Sequence, residues 1–322
     1  MSNYQEEQRA KVTALIAQRS ALFEGASGGR TFMRAPRPFV LHEVEKNLFS
    51  PARSHIQDYF SRNDISWWGG TRVPGHTLSS QIACLNHLFS WRNDIAAAAA
   101  ILRGLSPDFV KPLRIETDRF QPAYVQFEAV SECQYLNEDG LTRGTQCTSI
   151  DAMMYAEHRD GSRWLVPLEW KYTEHYGNDN KATEGVKADP VNGKGLVRQR
   201  RYKDLIEGSA QLKATDISVY YFEPFYQLMR QTLLAEQMVR HREQETVQAD
   251  NFLHVHVIPM ANHDLLHKTY RCSGLNMEQT WRKQLKEQAK YRIVDPQDLL
   301  APLATIGNYA PLLAYLRERY WK

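Results

Sequence analysis

Asp151, Glu169 and Lys171 are the residues of this chain whose types and spacing promise chemistry. Glu169 and Lys171 stand two apart in the apolar run RWLVPLEWKY (Arg163–Tyr172), and residues two apart on a strand share one face of a sheet. On a core-facing side both charges are expensive unless they are paired or bind something. A buried pair is also a poor stabilising device, because desolvation offsets most of the Coulomb attraction. A cleft is the better reading of that face. Asp160-Gly161 marks a hairpin turn between this run and CTSIDAMMY (Cys147–Tyr155). Folding there returns Asp151 to the end of the strand that carries Glu169 and Lys171. A strict two-residue turn sets Asp151 opposite Trp170, with its side chain on the wrong face. A three-residue loop, or a bulge at Pro167, restores the parity.

Two carboxylates and a lysine converging at a sheet edge suit one kind of reaction. Asp151 and Glu169 offer the hard oxygen ligands that Mg²⁺ or Mn²⁺ takes, with the backbone carbonyl of Trp170 as a third donor. Lys171 positions or deprotonates the attacking water and stabilises charge on the phosphoryl group. The chemistry this implies is metal-assisted hydrolysis of a phosphodiester.

The elements around the hairpin are readable. Helical periodicity runs through TLSSQIACLNHLFSWRNDIAAAAAILRGL, with Thr77 or Ser79 as N-cap and Gly104 and Pro107 at its end. AYVQFEAVSECQYL (Ala123–Leu136) reads as a strand. The polar stretch Asn178–Gly195 reads as an insertion. Helices follow through LVRQRRYKDLIEG and through FEPFYQLMRQTLLAEQMVRHREQE, the second with Pro224 in its first turn. NFLHVHVIPM is the last clear strand, and the remainder reads as helical. The order predicts a mixed α/β fold, a central mixed β-sheet flanked by helices with extra helices at both termini. Its expected organisation is one compact unit: an N-terminal extension 1–66, a core 67–260 with the insertion near 177–195, and a C-terminal helical extension 261–322.

The composition, 43% hydrophobic and 24% charged, is that of a globular protein and excludes a disordered or fibrous one. A net charge of +3 is too small to argue for a polyanion partner, so clustering has to decide. Lys194, Arg198, Arg200, Arg201 and Lys203 crowd into one segment, and Trp281–Arg292 is a second basic stretch. Each reads as a polyanion-binding patch or as a solvated helix face. Cys84, Cys133, Cys147 and Cys272 form no CxxC pair, which argues against a zinc ribbon and against a disulfide framework. The polar N-terminus lacks a signal core, and the apolar run Ile95–Leu102 is too short to span a bilayer. A soluble cytoplasmic protein is expected. No P-loop, dinucleotide-binding glycine motif or nucleophile elbow is present.

Other residues invite a function and a plainer reading together. His254 and His256 share a strand face at metal-ligand spacing but have no third ligand, so a solvated face is expected. His263 and His267 are read likewise. The aromatics of SWWGG (Ser66–Gly70) and YYFEPFY are expected in the core rather than stacked on bases.

The pattern of Asp151, then Glu169-x-Lys171 on a second strand, resembles the PD-(D/E)xK nuclease superfamily. LSSQIACLNHLF, VQFEAV, CTSIDAMMY, EWKYTEHY and EPFYQLMRQTLLA together resemble restriction-endonuclease-like proteins of bacteria, over roughly Trp67 to Pro259. One departure is that TSID lacks the proline of the superfamily's name. The resemblance implies that the helix before the sheet contributes a polar residue, for which Gln81 is the match, with Glu128 on the preceding strand as a second. It also implies a supporting Gln on a later helix: Gln227 with Arg230, or Gln199 with Tyr202. The expected function is that of a Mg²⁺- or Mn²⁺-dependent DNA endonuclease in restriction, phage defence or repair. Asp151, Glu169 and the Trp170 carbonyl would hold the metal. Lys194, Arg198, Arg200, Arg201 and Arg230 would hold the phosphate backbone. Cutting both strands of a duplex would favour a homodimer, and any ATP-driven translocation would need a partner protein. The alternatives are a nucleic-acid-binding module on the same fold that has lost hydrolysis, and a carboxylate-based hydrolase.

Overall fold

In a computed structural model, residues 3–117, 120–140 and 147–321 are described. The sheet is built around the hairpin that carries the acids. Strand β7 (Ile150–His158) runs antiparallel to β8 (Arg163–Trp170), from Ala152 opposite Leu168 to Glu157 opposite Arg163. His158 N–H closes the turn on Ser162, which leaves a three-residue loop, Arg159–Gly161. Gly161 there has φ +83°, a left-handed conformation that suits glycine. Pro167 sits opposite Met153 in an unbroken register, so the loop sets the parity and no bulge is needed.

The other strands are β3 (Phe109–Leu113) and β6 (Gln126–Ala129), both antiparallel to β7, and β9 (Asn251–Phe252) and β10 (His254–Val257), both parallel to β8. β11 (Tyr291–Val294) runs parallel to β10 at the edge. Two small hairpins stand apart: β1 (Thr31–Phe32) with β2 (Ala35–Pro36), and β4 (Ile115–Thr117) with β5 (Phe120–Ala123). β11 departs from the all-helical reading of the C-terminal stretch. Its sequence YRIV has β-forming residues directly after a basic helix, and its parallel pairing to β10 decides the matter.

Helices α1 (Asn3–Ala17), α2 (Arg53–Arg62), α3 (Ser80–Leu88) and α4 (Ile95–Leu105) precede or flank the sheet. The long helical pattern from Thr77 splits between α3 and α4. Ser79 caps α3 by accepting from Ile82 N–H, and Asp94 caps α4 by accepting from Ala96 and Ala97 N–H. α5 (Lys194–Glu207) and α6 (Phe225–Arg240) follow, then the short α7 (His263–Leu266), α8 (Met277–Gln284), α9 (Pro296–Leu300) and α10 (Ala310–Leu316).

The strand alternation sorts the core into two layers. Val166, Leu168 and Trp170 join α2, α3, α4 and α10 on one side, together with Phe39, Val44 and Leu48 from the N-terminal segment. Leu165 joins α5, α6 and α8 on the other. Residues from all three expected segments therefore share one apolar layer. Tyr172 O–H donates to Gln8 of α1 at 2.9 Å, which ties the first helix to the chain just past Lys171. Among the described residues no helix is long and apolar enough to cross a membrane. Among the described residues no disulfide links the cysteines.

Candidate active site

The ends of β7 and β8 carry the acids and the lysine, and α6 closes over them. Asp151 Oδ2 accepts the backbone N–H of Trp170 at 2.8 Å. Lys171 Nζ lies 2.5 Å from Glu169 Oε1, with both side chains almost fully buried. Two amides of α6 complete the arrangement. Gln227 accepts from Lys171 Nζ, and Gln231 donates to the other Glu169 oxygen. Residues four apart lie on one helix face, so both amides point at one pair. The chain of contacts continues outward: Gln231 Oε1 is 3.1 Å from His254 Nε2, and His254 Nδ1 is 3.0 Å from Thr232 Oγ1.

A second set of contacts closes the other flank of Asp151. Gln81 Nε2 donates to Glu128 Oε1 at 2.8 Å, and Ser149 Oγ donates to Glu128 Oε2 at 2.8 Å. Phe60, Gln81, Cys84, Leu85, Phe127, Glu128 and Asp151 line one narrow cleft. Glu128 holds φ +49°, a left-handed backbone in the middle of β6, while its neighbours Phe127 and Ala129 keep their pairing with β7. Such a conformation costs a non-glycine residue about 1–2 kcal/mol, and strain of this kind concentrates at functional positions.

Charge is distributed unequally over these groups. Burial, then the negative charges of Glu169 and Glu128, raise the Asp151 carboxyl well above the carboxylate range; Lys171 and the Trp170 N–H oppose this without reversing it. Burial also pushes Glu169 up, but the Lys171 charge and the hydrogen bonds from Lys171 and Gln231 outweigh it and leave Glu169 below its usual value. For Lys171 burial acts downward, and the negative charge of Glu169, joined by Tyr176, Glu174 and Asp151, together outweighs it, so the amine is held well above its ordinary value. Lys171 is therefore a fixed cation.

Asp151, Glu169, Lys171, Gln81, Glu128 and Gln227 thus converge. The residues on α5 and Arg230 are disposed differently. Arg198 pairs with Glu184 at 2.7 Å, and Lys194 lies 3.8 Å from the same carboxylate. Arg201 pairs with Asp139 at 2.7 Å, and Arg230 with the buried Glu138 at 3.1 Å. Arg200 is exposed and makes no ion pair among the described residues. Gln199 donates to the Ala182 carbonyl and Tyr202 O–H to Glu138, so neither reaches Glu169. His254 and His256 are buried rather than solvated, because α6 and Tyr291 cover their face of β10. His263 and His267 stack on each other, with ring centroids 4.6 Å apart. Of the SWWGG aromatics, Trp67 is buried against Phe60 while Trp68 is half exposed.

Sequence reasoning missed Gln231, Ser149 and Glu223. Gln231 was findable as the residue one turn after Gln227. Glu223 is buried beside the site, and one of its oxygens has no partner among the described residues. Burial raises its carboxyl, and Lys171 is the foremost charge opposing that rise.

The donor set bears on the metal question. Among the described residues, no three His, Cys, Asp or Glu side chains are placed to hold an ion by themselves. Mg²⁺ does not require that, since it is commonly held by one or two carboxylates, waters and substrate phosphate. The ionised form of Asp151 is disfavoured next to two other carboxylates, and a divalent cation would relieve that repulsion. The residues fit the ion.

A family model described as "Restriction Endonuclease associating with ARP" matches residues 9–321. The chain belongs to this family. The match to the REase-ARP model spans the N-terminal helix, the sheet and the C-terminal helices alike, and it gives the chain a nuclease-related setting on a restriction-endonuclease-like α/β fold. The family's description also names an associating partner, ARP. No curated protein and no solved structure matches the chain.

Proposed function

We propose that this REase-ARP protein is a metal-dependent phosphodiesterase, and specifically a DNA endonuclease of the PD-(D/E)xK type. The observation that carries the reading is the buried Glu169–Lys171 pair, held by Gln227 and Gln231 and set beside the proton-prone Asp151. A hairpin does not need two buried charges for stability, and α6 spends two amides on holding them.

Asp151 and Glu169, with the Trp170 carbonyl, would hold Mg²⁺ or Mn²⁺. When bound, such an ion polarises the phosphoryl oxygens and acidifies water. Lys171 is held in its protonated form by Glu169, so its role is to stabilise negative charge on the phosphoryl oxygens. In the reaction a water oxygen bonds to phosphorus, the ester P–O bond breaks, and the leaving oxygen takes up a proton. Gln227 and Gln231 fix the lysine and the glutamate against rotation. The family's description supports a working partnership with ARP.

The test is incubation of wild-type and Glu169→Ala protein with supercoiled plasmid and single-stranded DNA, in Mg²⁺, in Mn²⁺ and in EDTA. Cleavage should need the metal and vanish in the variant. Equal cutting by both proteins would sink the assignment.

A further inference from the structure

Apart from α5 and the Trp281–Arg292 stretch, where Arg282 pairs with Glu278 and Lys290 with Glu287, the structure carries a further group of exposed arginines with no ion pair among the described residues. The β1–β2 hairpin pairs Thr31 with Pro36 and Phe32 with Ala35, so its turn is the two-residue Met33-Arg34. Both turn residues have positive φ, +49° and +67°, the geometry of a tight type I′ turn. Met33 is 76% exposed at its tip. Behind the tip, the Phe32 ring packs 5.8 Å from the Trp68 ring and 4.6 Å from His76. Trp68 remains 49% exposed, beside a turn made by Gly69 and Gly70, both at positive φ. Arg30 and Arg37 flank the hairpin in the chain, Arg34 stands in its turn and Arg72 follows the Gly69-Gly70 turn; all four are exposed, and none forms an ion pair among the described residues.

This surface is continuous with the acidic cleft. Trp68 N–H donates to Gln81 Oε1 at 2.9 Å, and the amide of the same Gln81 donates to Glu128. One side chain therefore joins the exposed indole residue to the carboxylate next to Asp151.

We propose that the Met33-Arg34 tip, Trp68 and the surrounding arginines form the landing surface for a single nucleic-acid strand, with an unpaired base stacked on Trp68 and its phosphates on the arginines. Exposed aromatics interleaved with unpaired arginines are the features single-strand binders use, because every base has a π-face and every nucleotide a phosphate. A duplex keeps its bases stacked inward and offers Trp68 nothing to stack on. The inference rests on the nuclease reading only for the cleavage of a strand once it is bound.

The experiment is fluorescence anisotropy in EDTA with a labelled 20-nucleotide DNA strand, the matching RNA strand and the DNA duplex. The proteins are wild type, Trp68→Ala, Trp68→Phe and Arg34→Ala/Arg72→Ala, each checked for an unchanged melting temperature. Wild type should prefer a single strand; the DNA and RNA arms identify which. Trp68→Ala should weaken strand binding roughly tenfold and leave duplex binding unchanged, while Trp68→Phe keeps most of the affinity. The double arginine variant should flatten the salt dependence of binding by about 1.4 in log–log slope. Unchanged strand affinity in Trp68→Ala, or a wild-type preference for duplex, overturns the inference. The plasmid assay separates it from the nuclease reading. Metal-dependent cleavage alongside an unaffected Trp68→Ala defeats this inference alone, whereas Trp68-dependent strand binding with no cleavage by any protein defeats the nuclease reading alone.

Discussion

The Asp151 carboxylate accepts the backbone N–H of Trp170, the residue between Glu169 and Lys171, at 2.8 Å. The lone acid of β7's first turn of pleat is thereby fastened to the main chain of β8, and its distance from the Glu-x-Lys pair is set by backbone rather than by a flexible side chain.

That fastening holds an acid whose charge is unwelcome. Because the folded-state pKa of Asp151 is raised, its contribution to stability is fully present below the ordinary aspartate value and is lost as pH rises through the folded one. At neutral pH in EDTA, Asp151→Asn should therefore melt above wild type, and the difference should shrink on acidification. Added Mg²⁺ should raise the wild-type melting temperature and leave Asp151→Asn unmoved. A variant that melts below wild type in EDTA at neutral pH would contradict this distribution of charge.

The Glu169–Lys171 pair makes an opposite prediction. Removing Lys171 alone strands a buried carboxylate, and breaking a buried pair in this way costs about 3–5 kcal/mol. Lys171→Met should be strongly destabilised in urea melts, and Glu169→Gln/Lys171→Met should recover much of the loss. All of these variants should be inactive. A double variant no more stable than Lys171→Met would show that the pair is not the dominant interaction there.

Glu128 tests the backbone. Glu128→Ala and Glu128→Gly both lose the contacts to Gln81 and Ser149, but only glycine adopts the left-handed conformation without penalty. The glycine variant should be the more stable of the two by about 1 kcal/mol in denaturant titrations. The reverse order would mean that the strand relaxes on substitution.

His87 governs behaviour in acid. It lies buried against Trp170 and Tyr320, its Nδ1 is 2.7 Å from the Ala83 carbonyl, and Trp321 Nε1–H donates to its Nε2 at 3.0 Å. The neutral ring, protonated on Nδ1, satisfies both contacts. Burial lowers its pKa to about 3. A depressed histidine contributes stability above its unfolded value of about 6.5, and this is lost as pH falls toward the folded value, by at most about 1.4 kcal/mol per pH unit. His87→Gln, which can keep an acceptor for Trp321, should show a flatter loss of stability between about pH 6.5 and 4. An identical acid profile would exclude His87 as a contributor.

Much of this was legible in the chain because it rests on short-range rules. Asp160-Gly161 located the turn, and the two-residue spacing of Glu169 and Lys171 fixed their common face. The choice between a three-residue loop and a bulge at Pro167 was not legible. It depends on what borders β8 on its far side, where pairing passes from β9 at Leu165 to β10 at Leu168 and leaves Pro167 between the two. The burial of His254 was hidden for a similar reason: HVHV alternates like an exposed strand, and only the packing of α6 and the edge strand β11 covers it. The ion pairs that occupy Arg198 and Arg201 join residues 14 and 62 positions apart, separations at which local pattern says nothing.

The two amides of α6 have a further consequence, for insertions and deletions. A helix turns by about 100° and rises about 1.5 Å for every residue. One residue gained or lost between Gln227 and Gln231 would turn one amide about 100° away from the other, so that the two could no longer hold Lys171 and Glu169 together, although no residue of the site had been replaced. Most of α6 is buried, so the helix has no freedom to rotate back without moving its apolar face out of the core. The length of the Leu228–Arg230 stretch between the two amides is thus under the same constraint as the identity of the charged residues.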